Sequence, residues 1–281
     1  MSLWSSKILY LFLDTTALAR KRLFMETVLG LEVIENEYHP PHSRHGVVKY
    51  DAGEVILALN IADPDFDKGG SNGLVTVLAT SPMREAKIYA ELQINGFAAP
   101  QVSGDGFTDE DNHQYAIRRV PPAFGWAQEE TRASIAELHL TVGDLEQSMA
   151  FYGGLLDLIL LEETKQSASY ATGNLKLVLH DWRQVADSPP DRHKGCLVVF
   201  HTEKITDTFD ALSKRGVNFQ GGIGYSDIGG AARFVDPTGH VLCLYEPSAE
   251  SLSWRSGPKV REIISSESTQ SLWEVTSDLR N

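Results

Sequence analysis

Residues 49–60, Lys-Tyr-Asp-Ala-Gly-Glu-Val-Ile-Leu-Ala-Leu-Asn, lie over residues 169–180, Ser-Tyr-Ala-Thr-Gly-Asn-Leu-Lys-Leu-Val-Leu-His, without a gap at an offset of 120. They share Tyr50/Tyr170, Gly53/Gly173, Leu57/Leu177 and Leu59/Leu179, and the same offset carries Leu92 and Gly96 onto Leu212 and Gly216. Phe24, Leu29, Asp109 and His113 fall on Phe151, Leu156, Asp236 and His240 at an offset of 127. The seven-residue change is what loops of different length produce, so the chain carries an internal duplication and its fold must be built from two similar halves.

Each half has the same order of elements. In the first, Ile8–Leu13 reads as a strand and Thr16 to Leu29 as a helix closed by Gly30, a residue that tolerates the left-handed cap position. Leu31–Glu37, His45–Tyr50 and Glu54–Asn60 then read as strands, with Asp51-Ala52-Gly53 as turn chemistry between the last two. After an Asp-rich loop, Leu74–Ala79 is another strand, Ser81-Pro82 starts a helix that Gly96 ends, and further strands run to Arg119. Pro121-Pro122 and the polar stretch 128–132 mark a linker. In the second half, Asp144 caps a helix with Leu145, Met149, Tyr152 and Leu156 on one stripe, and Leu158–Glu162, Ala168–Ala171 and Leu175–His180 follow as strands.

Strand-helix-strands thus occurs twice per half. The fold class expected is α+β: four βαβββ modules paired into two cup-shaped, mainly antiparallel or mixed sheets with helices on the outer face. The domains expected are residues 7–120 and 134–248, followed by a tail at 249–281. A cup is where a ligand would go.

Charge narrows the partners. The 25 Lys and Arg against 38 Asp and Glu leave a formal net charge of −13, with no basic run, which argues against nucleic acid and against an anionic membrane surface. A small-molecule ligand is the better expectation. Cys196 and Cys243 are too few for a disulfide framework and fit a reducing compartment, so a cytoplasmic location is expected. The early apolar run Ile8–Leu13 is shorter than a signal-peptide core or a membrane span.

Leu138, Leu140 and Val142 alternate with Glu137, His139 and Thr141, so one face of this strand is apolar and the other polar. The stretch Leu-Thr-Val-Gly-Asp-Leu-Glu-Gln-Ser-Met-Ala-Phe-Tyr152 resembles the opening strand and helix of the vicinal oxygen chelate superfamily, which includes glyoxalase I, bleomycin-resistance proteins, fosfomycin-resistance enzymes and extradiol dioxygenases. Phe-Val-Asp-Pro-Thr-Gly-His-Val-Leu-Cys-Leu-Tyr-Glu-Pro247 resembles its closing strand.

The resemblance implies paired βαβββ modules. For catalytic members it also implies a divalent metal held by His or Gln on the first strand, His on the strand opening the second module and Glu on the last strand. Those places fall on Glu137, Leu197 and Cys243, with glyoxalase I's additional Glu near Val178. In the first half they fall on Tyr10, Val77 and Ala116. Leu197 and Val178 cannot bind a metal, so no cofactor is expected, with a divalent metal as the alternative.

If Glu137 and Cys243 point into one cup, period two also turns inward His139, Thr141, His180, Val199, His201 and Tyr245. The expected ligand-binding set is therefore Glu137, His139, Thr141, His180, Leu197, His201, Cys243 and Tyr245, and the alternative metal set is Glu137, His139, His180 and Cys243. Three functional readings stand: a metal-free small-molecule binder akin to bleomycin-resistance proteins, a metal-dependent lyase or extradiol-type dioxygenase with a rearranged site, and a structural or interaction module.

Other features carry less. His39, His42 and His45 sit around Pro40-Pro41 and read as a solvated loop, and Asp63, Asp65 and Asp67 miss the spacing of a calcium loop. Gly221-Gly222-Ile223-Gly224 to Gly229-Gly230 reads as a hairpin beside the cup. The tail's Trp254, Ile263, Ile264, Leu272, Trp273 and Val275 are expected to pack on the chain's own domains or on a second copy in a homodimer.

Overall fold

The computed structural model describes residue 3 and residues 6–36, 48–62, 73–98, 106–119, 133–184 and 195–266. The first unit runs β1 (Ile8–Thr15), α1 (Leu18–Leu23) continued by a π-helical turn at Phe24–Val28, β2 (Glu32–Asn36), β3 (Val48–Asp51) and β4 (Ile56–Ile61). The second has β5 (Leu74–Thr80), α2 (Pro82–Ile94), β6 (Phe107–Thr108) and β7 (Gln114–Arg119). The third has β8 (Ser134–Val142), α3 (Leu145–Met149) with a π-helical turn at Ala150–Leu155, β9 (Ile159–Glu163), β10 (Ser167–Ala171) and β11 (Lys176–Asp181). The fourth has β12 (Cys196–His201), α4 (Ile205–Arg215), β13 (Gly224–Ser226), β14 (Gly229–Val235) and β15 (Val241–Pro247), and the tail adds α5 (Gly257–Ser265). The duplication extends to the π-helical turns, which occupy equivalent places in the first and third units.

The local signals act as expected. Ser81 Oγ accepts from the Arg84 amide at 3.2 Å and Asp144 Oδ1 from the Gln147 amide at 2.9 Å, each opening a helix. Gly216 closes α4 at φ +101°. At Gly53, φ is +85° and an added Cβ would lie 2.8 Å from Ser134 Cβ. The duplicated glycine therefore serves a turn and a close approach, since Ala52 O accepts from the Ile135 amide at 2.9 Å.

The units pair across the halves. An eight-stranded sheet has the order β13-β14-β15-β12-β1-β4-β3-β2, and a seven-stranded sheet the order β6-β7-β5-β8-β11-β10-β9. Units one and four make the larger sheet and units two and three the smaller, joined through the antiparallel pairs β1·β12 and β5·β8. Parallel pairs such as β1·β4 and β8·β11 make both sheets mixed.

This corrects the single cup expected for the second half. Glu137, His139, Thr141 and His180 lie on the smaller sheet, whereas Leu197, His201, Cys243 and Tyr245 lie on the larger. Period two shows which face a residue takes but not which strand becomes its neighbour, and an edge strand can pair with any exposed edge of compatible pattern.

The two units of each half read from sequence meet instead through a buried aspartate. Asp236 Oδ1 accepts from the amides of Thr238, Gly239 and His240 at 2.7–2.9 Å, and its Oδ2 from Tyr152 of the third unit at 3.0 Å. The equivalent Asp109 accepts from the amides of Asp111 and His113 at 3.0 and 3.2 Å, and from Lys21 of the first unit. Each aspartate thus ties a turn of one unit to the helix of the preceding one. Burial holds the carboxyl with a penalty, but His113, Lys21 and their counterparts outweigh it, and both acids sit below the usual carboxylate range.

The main core lies between sheets and helices. Leu138, Leu140 and Val142 of β8 pack there with Phe151, Tyr152 and Leu156. A fully buried leucine stabilises the fold by roughly 1.5–3 kcal/mol. A second apolar cluster sits on the concave face of the larger sheet, where Leu9, Tyr10, Ile56, Val199, Cys243 and Tyr245 meet Val260 and Ile263 of α5.

Candidate functional site

On the larger sheet, register sets a row across the floor of the cup: Cys243 pairs with Val199, Val199 with Tyr10, and Tyr10 with Ile56. Leu197 and Phe12, paired two residues along, share that face. Above the floor is a cavity of about 300 Å³. Tyr10, Phe12 and Asn60 come to it from the first unit with Lys49, while Leu197, Cys243, Tyr245, Arg233 and the β13 hairpin come from the fourth. The Gly-rich segment is thus the hairpin at the cup's edge, with Gly224, Tyr225 and Ser226 in the wall.

The tail closes one side. Trp254 and Ser256 line the cavity, and α5 is held at both ends. Glu35 accepts from the Ser256 amide at 3.0 Å and from its hydroxyl at 2.7 Å. Lys7 Nζ donates to Ile263 O at 2.7 Å and to Ser266 Oγ at 2.6 Å, a cation at a helix C-terminus. Trp254, Ile263 and Ile264 therefore pack on the chain itself; Leu272, Trp273 and Val275 lie outside the described residues.

Charge inside the cup is mostly balanced. Lys49 is hydrogen-bonded to Glu35, and its ammonium lies 5.1 Å from the Trp254 ring centroid. Burial alone would raise the Glu35 carboxyl, but Lys49 and Ser256 together hold it below its ordinary value. Burial pushes the Cys243 thiol up to about 11, so it is protonated at neutral pH despite the nearby Arg233. Burial likewise raises Tyr10 and Tyr245, and the Tyr245 hydroxyl donates to Ile228 O at 2.5 Å. His201 lies at the end of β12, half-buried, with burial lowering its basicity. It is outside the cavity wall.

The smaller sheet gathers the rest of the expected residues. Its equivalent row is Ala116, Val77, Glu137 and Lys176. Glu137 pairs with Arg118, and its Oε2 lies 2.8 Å from His139 Nε2; His139 Nδ1 lies 3.1 Å from His180 Nε2. With His139 donating to the carboxylate, the same ring accepts from His180, which fixes both tautomers. Burial opposes ionisation of Glu137, yet His139, Lys176 and Arg118 bring it down to about 2. Burial and the neighbouring His139 lower His180 to about 4. Thr141 lies on the same strand face one step beyond, beside His180 in register.

The alternative metal set does not come together, because Cys243 is on the other sheet from Glu137, His139 and His180. Among the described residues, the metal-compatible cluster is instead Asp109, Asp111 and His113, all buried. Lys21 already serves it, bonded to Asp109, 2.7 Å from His113 Nδ1 and 3.9 Å from Asp111.

Residues that reading the sequence missed are Phe12, Lys49, Asn60, Arg233, Trp254 and Ser256. For the strand residues Phe12, Lys49, Asn60 and Arg233 the signal is alternation onto the cup face, readable only once units one and four are paired, whereas Trp254 and Ser256 come from the turn and helix start of the tail.

Two mixed sheets of eight and seven strands built from four βαβββ-like units, with a cup on one face, define a class. Residues 134–244 match the Glyoxalase/Bleomycin resistance protein/Dioxygenase superfamily. Glyoxalase I from Zea mays superposes with a TM-score of 0.63 at 17% identity, covering 92% of this chain and 95% of that one. A candidate dioxygenase from Bacillus subtilis superposes with a TM-score of 0.65 at 11% identity, covering 90% and 87%. At these identities the likeness is one of fold. Residues 134–244 thus carry this superfamily's sequence pattern, and both sheets share the fold of the maize and Bacillus subtilis structures.

A different similarity, to small ribosomal subunit protein uS5 of Hydrogenovibrio crunogenus, is 30% over 110 residues, 39% of this chain and 64% of that protein's length. With a net charge of −13, this chain lacks the basic excess that an RNA partner rewards. Among the described residues no helix is long and apolar enough to cross a membrane.

Proposed function

We propose that this chain binds a small organic ligand in the cup of the larger sheet, held by side chains rather than by the superfamily's metal triad. The observation that carries this reading is the cavity of about 300 Å³ above the row Cys243, Val199, Tyr10. Its size and its mixture of aromatic walls with few polar groups are those of a small-molecule site.

The donor chemistry supports the metal-free part. Where the resemblance places metal ligands, the larger cup offers a phenol, an aliphatic side chain at Leu197 or Val199, and a thiol raised to about 11. The smaller cup offers one carboxylate already engaged by Arg118 and His139, beside Val77, Ala116 and Val178. A divalent ion needs several converging O, N or thiolate donors, and neither set supplies them. The unpaired thiols of Cys196 and Cys243 support a reducing, cytoplasmic setting.

The test is a titration with the neutral fluorescent probe N-phenyl-1-naphthylamine on protein purified without chelator, with and without EDTA, alongside elemental analysis. Saturable binding that EDTA leaves unchanged and that Leu197→Trp abolishes is expected. A stoichiometric divalent metal whose removal abolishes binding would overturn the reading.

A further inference from the structure

We propose that the larger cup selects an organic anion, its charged group meeting Arg233 and its apolar body lying against the aromatic wall. This deepens the reading of the cavity as a ligand site and rests on it.

Most polar groups of the wall are already engaged. Lys49 is bound to Glu35 and faces Trp254. Asn60 donates to Asp14 at 3.2 Å, and Ser256 donates to Glu35. Tyr245 donates to Ile228 O, and Tyr225 and Thr206 share a hydrogen bond at 3.2 Å. The Cys243 thiol donates to Leu244 O at 3.1 Å.

Arg233 differs. It stands opposite Cys243 in the β14·β15 ladder and lines the cavity, yet its guanidinium has no hydrogen bond or ion pair among the described residues. In a chain with 13 more acids than bases, this arginine has no carboxylate partner among the described residues, and it sits at the wall of the cup. With Lys49 and Glu35 cancelling, it leaves that wall with an excess positive charge.

The rest of the lining describes the ligand's other end. Tyr10 lies 5.5 Å from Phe12 and 6.0 Å from Tyr245 by ring centroids, and Trp254 and the hairpin's Tyr225 also line the cavity. Such walls take flat apolar groups by offset or edge-to-face contact. A planar guanidinium presents paired N–H donors that match a carboxylate or sulfonate. The class implied is an aromatic or otherwise apolar carboxylate, or a like anion, small enough for about 300 Å³.

The experiment compares two probes of one skeleton on the full chain: 8-anilinonaphthalene-1-sulfonate, an anion, and neutral N-phenyl-1-naphthylamine. Arg233→Met keeps the apolar stem and removes the charge. It is expected to weaken the sulfonate probe by at least about tenfold and the neutral probe by less than about threefold, the range a charge-assisted hydrogen bond supplies. Ala231→Trp, which fills the cavity, is expected to abolish both, with Leu197→Trp in its place should circular dichroism show it misfolded. If Arg233→Met changes both probes equally or neither, while the filled variant loses both, the anion preference is overturned and the cavity reading stands. If the filled variant still binds both probes, the cavity reading falls, and this inference with it.

Discussion

Arg233 and Cys243 face each other across the β14·β15 ladder on the cup side of the larger sheet, one charged and without an ion-pair partner among the described residues, the other a buried thiol. Their juxtaposition sets the character of the cup. The cation does not create a thiolate, because burial outweighs it and lifts Cys243 to about 11. Cys196 is lifted by burial to about 12, with Asp14 and Asp236 adding to the effect.

Both thiols are therefore expected to be unreactive in the folded protein. Titration with 5,5′-dithiobis(2-nitrobenzoate) at pH 7.5 should release color at less than about a tenth of the rate of a free thiol, with two equivalents appearing on addition of urea. A fast stoichiometric reaction of the native protein would show that one of these thiols is ionised and would contradict their burial in apolar surroundings.

Glu35 joins the first unit to the tail by binding both Lys49 and Ser256. Glu35→Ala leaves a buried ammonium uncompensated and frees the start of α5, so a loss of about 3–5 kcal/mol is expected in urea unfolding. Glu35→Leu combined with Lys49→Met should recover most of it, since the paired charges bring little net stability. An unchanged midpoint for the single variant would contradict the arrangement.

Lys21 neutralises Asp109 and Asp111 in a pocket where all three side chains are 0% exposed. Lys21→Met should destabilise the protein by about 3–5 kcal/mol, and adding Asp109→Asn should restore part of that loss. A second readout is acid sensitivity: without Lys21 the Asp109 carboxyl, now held below its ordinary range chiefly against burial by His113 and Lys21, should titrate at higher pH.

The smaller cup predicts two windows of acid destabilisation. His180 protonates at about 4 in the folded chain against an ordinary 6.5, so the unfolded chain binds more protons between those values and stability falls as pH drops through them. Glu137 protonates at about 2 against 4.5, so its contribution, present above 4.5, is lost between 4.5 and 2. Each shift corresponds to at most about 3.4 kcal/mol, which solvent screening around these partly exposed groups reduces to roughly 2–3 kcal/mol. Urea unfolding of wild type and His180→Gln from pH 7 to 3 should show the upper window vanish in the variant; identical slopes would refute the hydrogen-bonded chain from Glu137 to His180.

Much of the fold was legible because it is written locally. The duplicated hairpin gave the four units, Asp144 and Ser81 mark helix starts, and the alternation at Leu138, Leu140 and Val142 identifies a buried face. The equivalence of Asp109 and Asp236 is also visible in sequence, and each does the same structural work. The pairing of units was not legible. Whether β8 lies beside β5 or beside β12 depends on edges brought together from distant parts of the chain, and no local pattern at Glu137 or Leu197 distinguishes them.

The candidate site suffered from that gap. Cys243, Leu197 and Tyr245 line the larger cup, but their companions Tyr10 and Lys49 come from the first unit, at the other end of the chain, and Trp254 comes from the tail. Glu137, His139 and His180 do meet one another, on the other sheet. Arg233 alternates with buried neighbours on β14, and its lack of an ion-pair partner among the described residues is a property of three-dimensional surroundings alone.

The most direct measurement is a crystal structure of the protein soaked with 8-anilinonaphthalene-1-sulfonate. The account predicts the ring system among Tyr10, Tyr245 and Trp254 with the sulfonate on Arg233, and no metal among Tyr10, Leu197 and Cys243. Probe bound elsewhere with the larger cup left to solvent, or a metal ion coordinated in that cup, would contradict it.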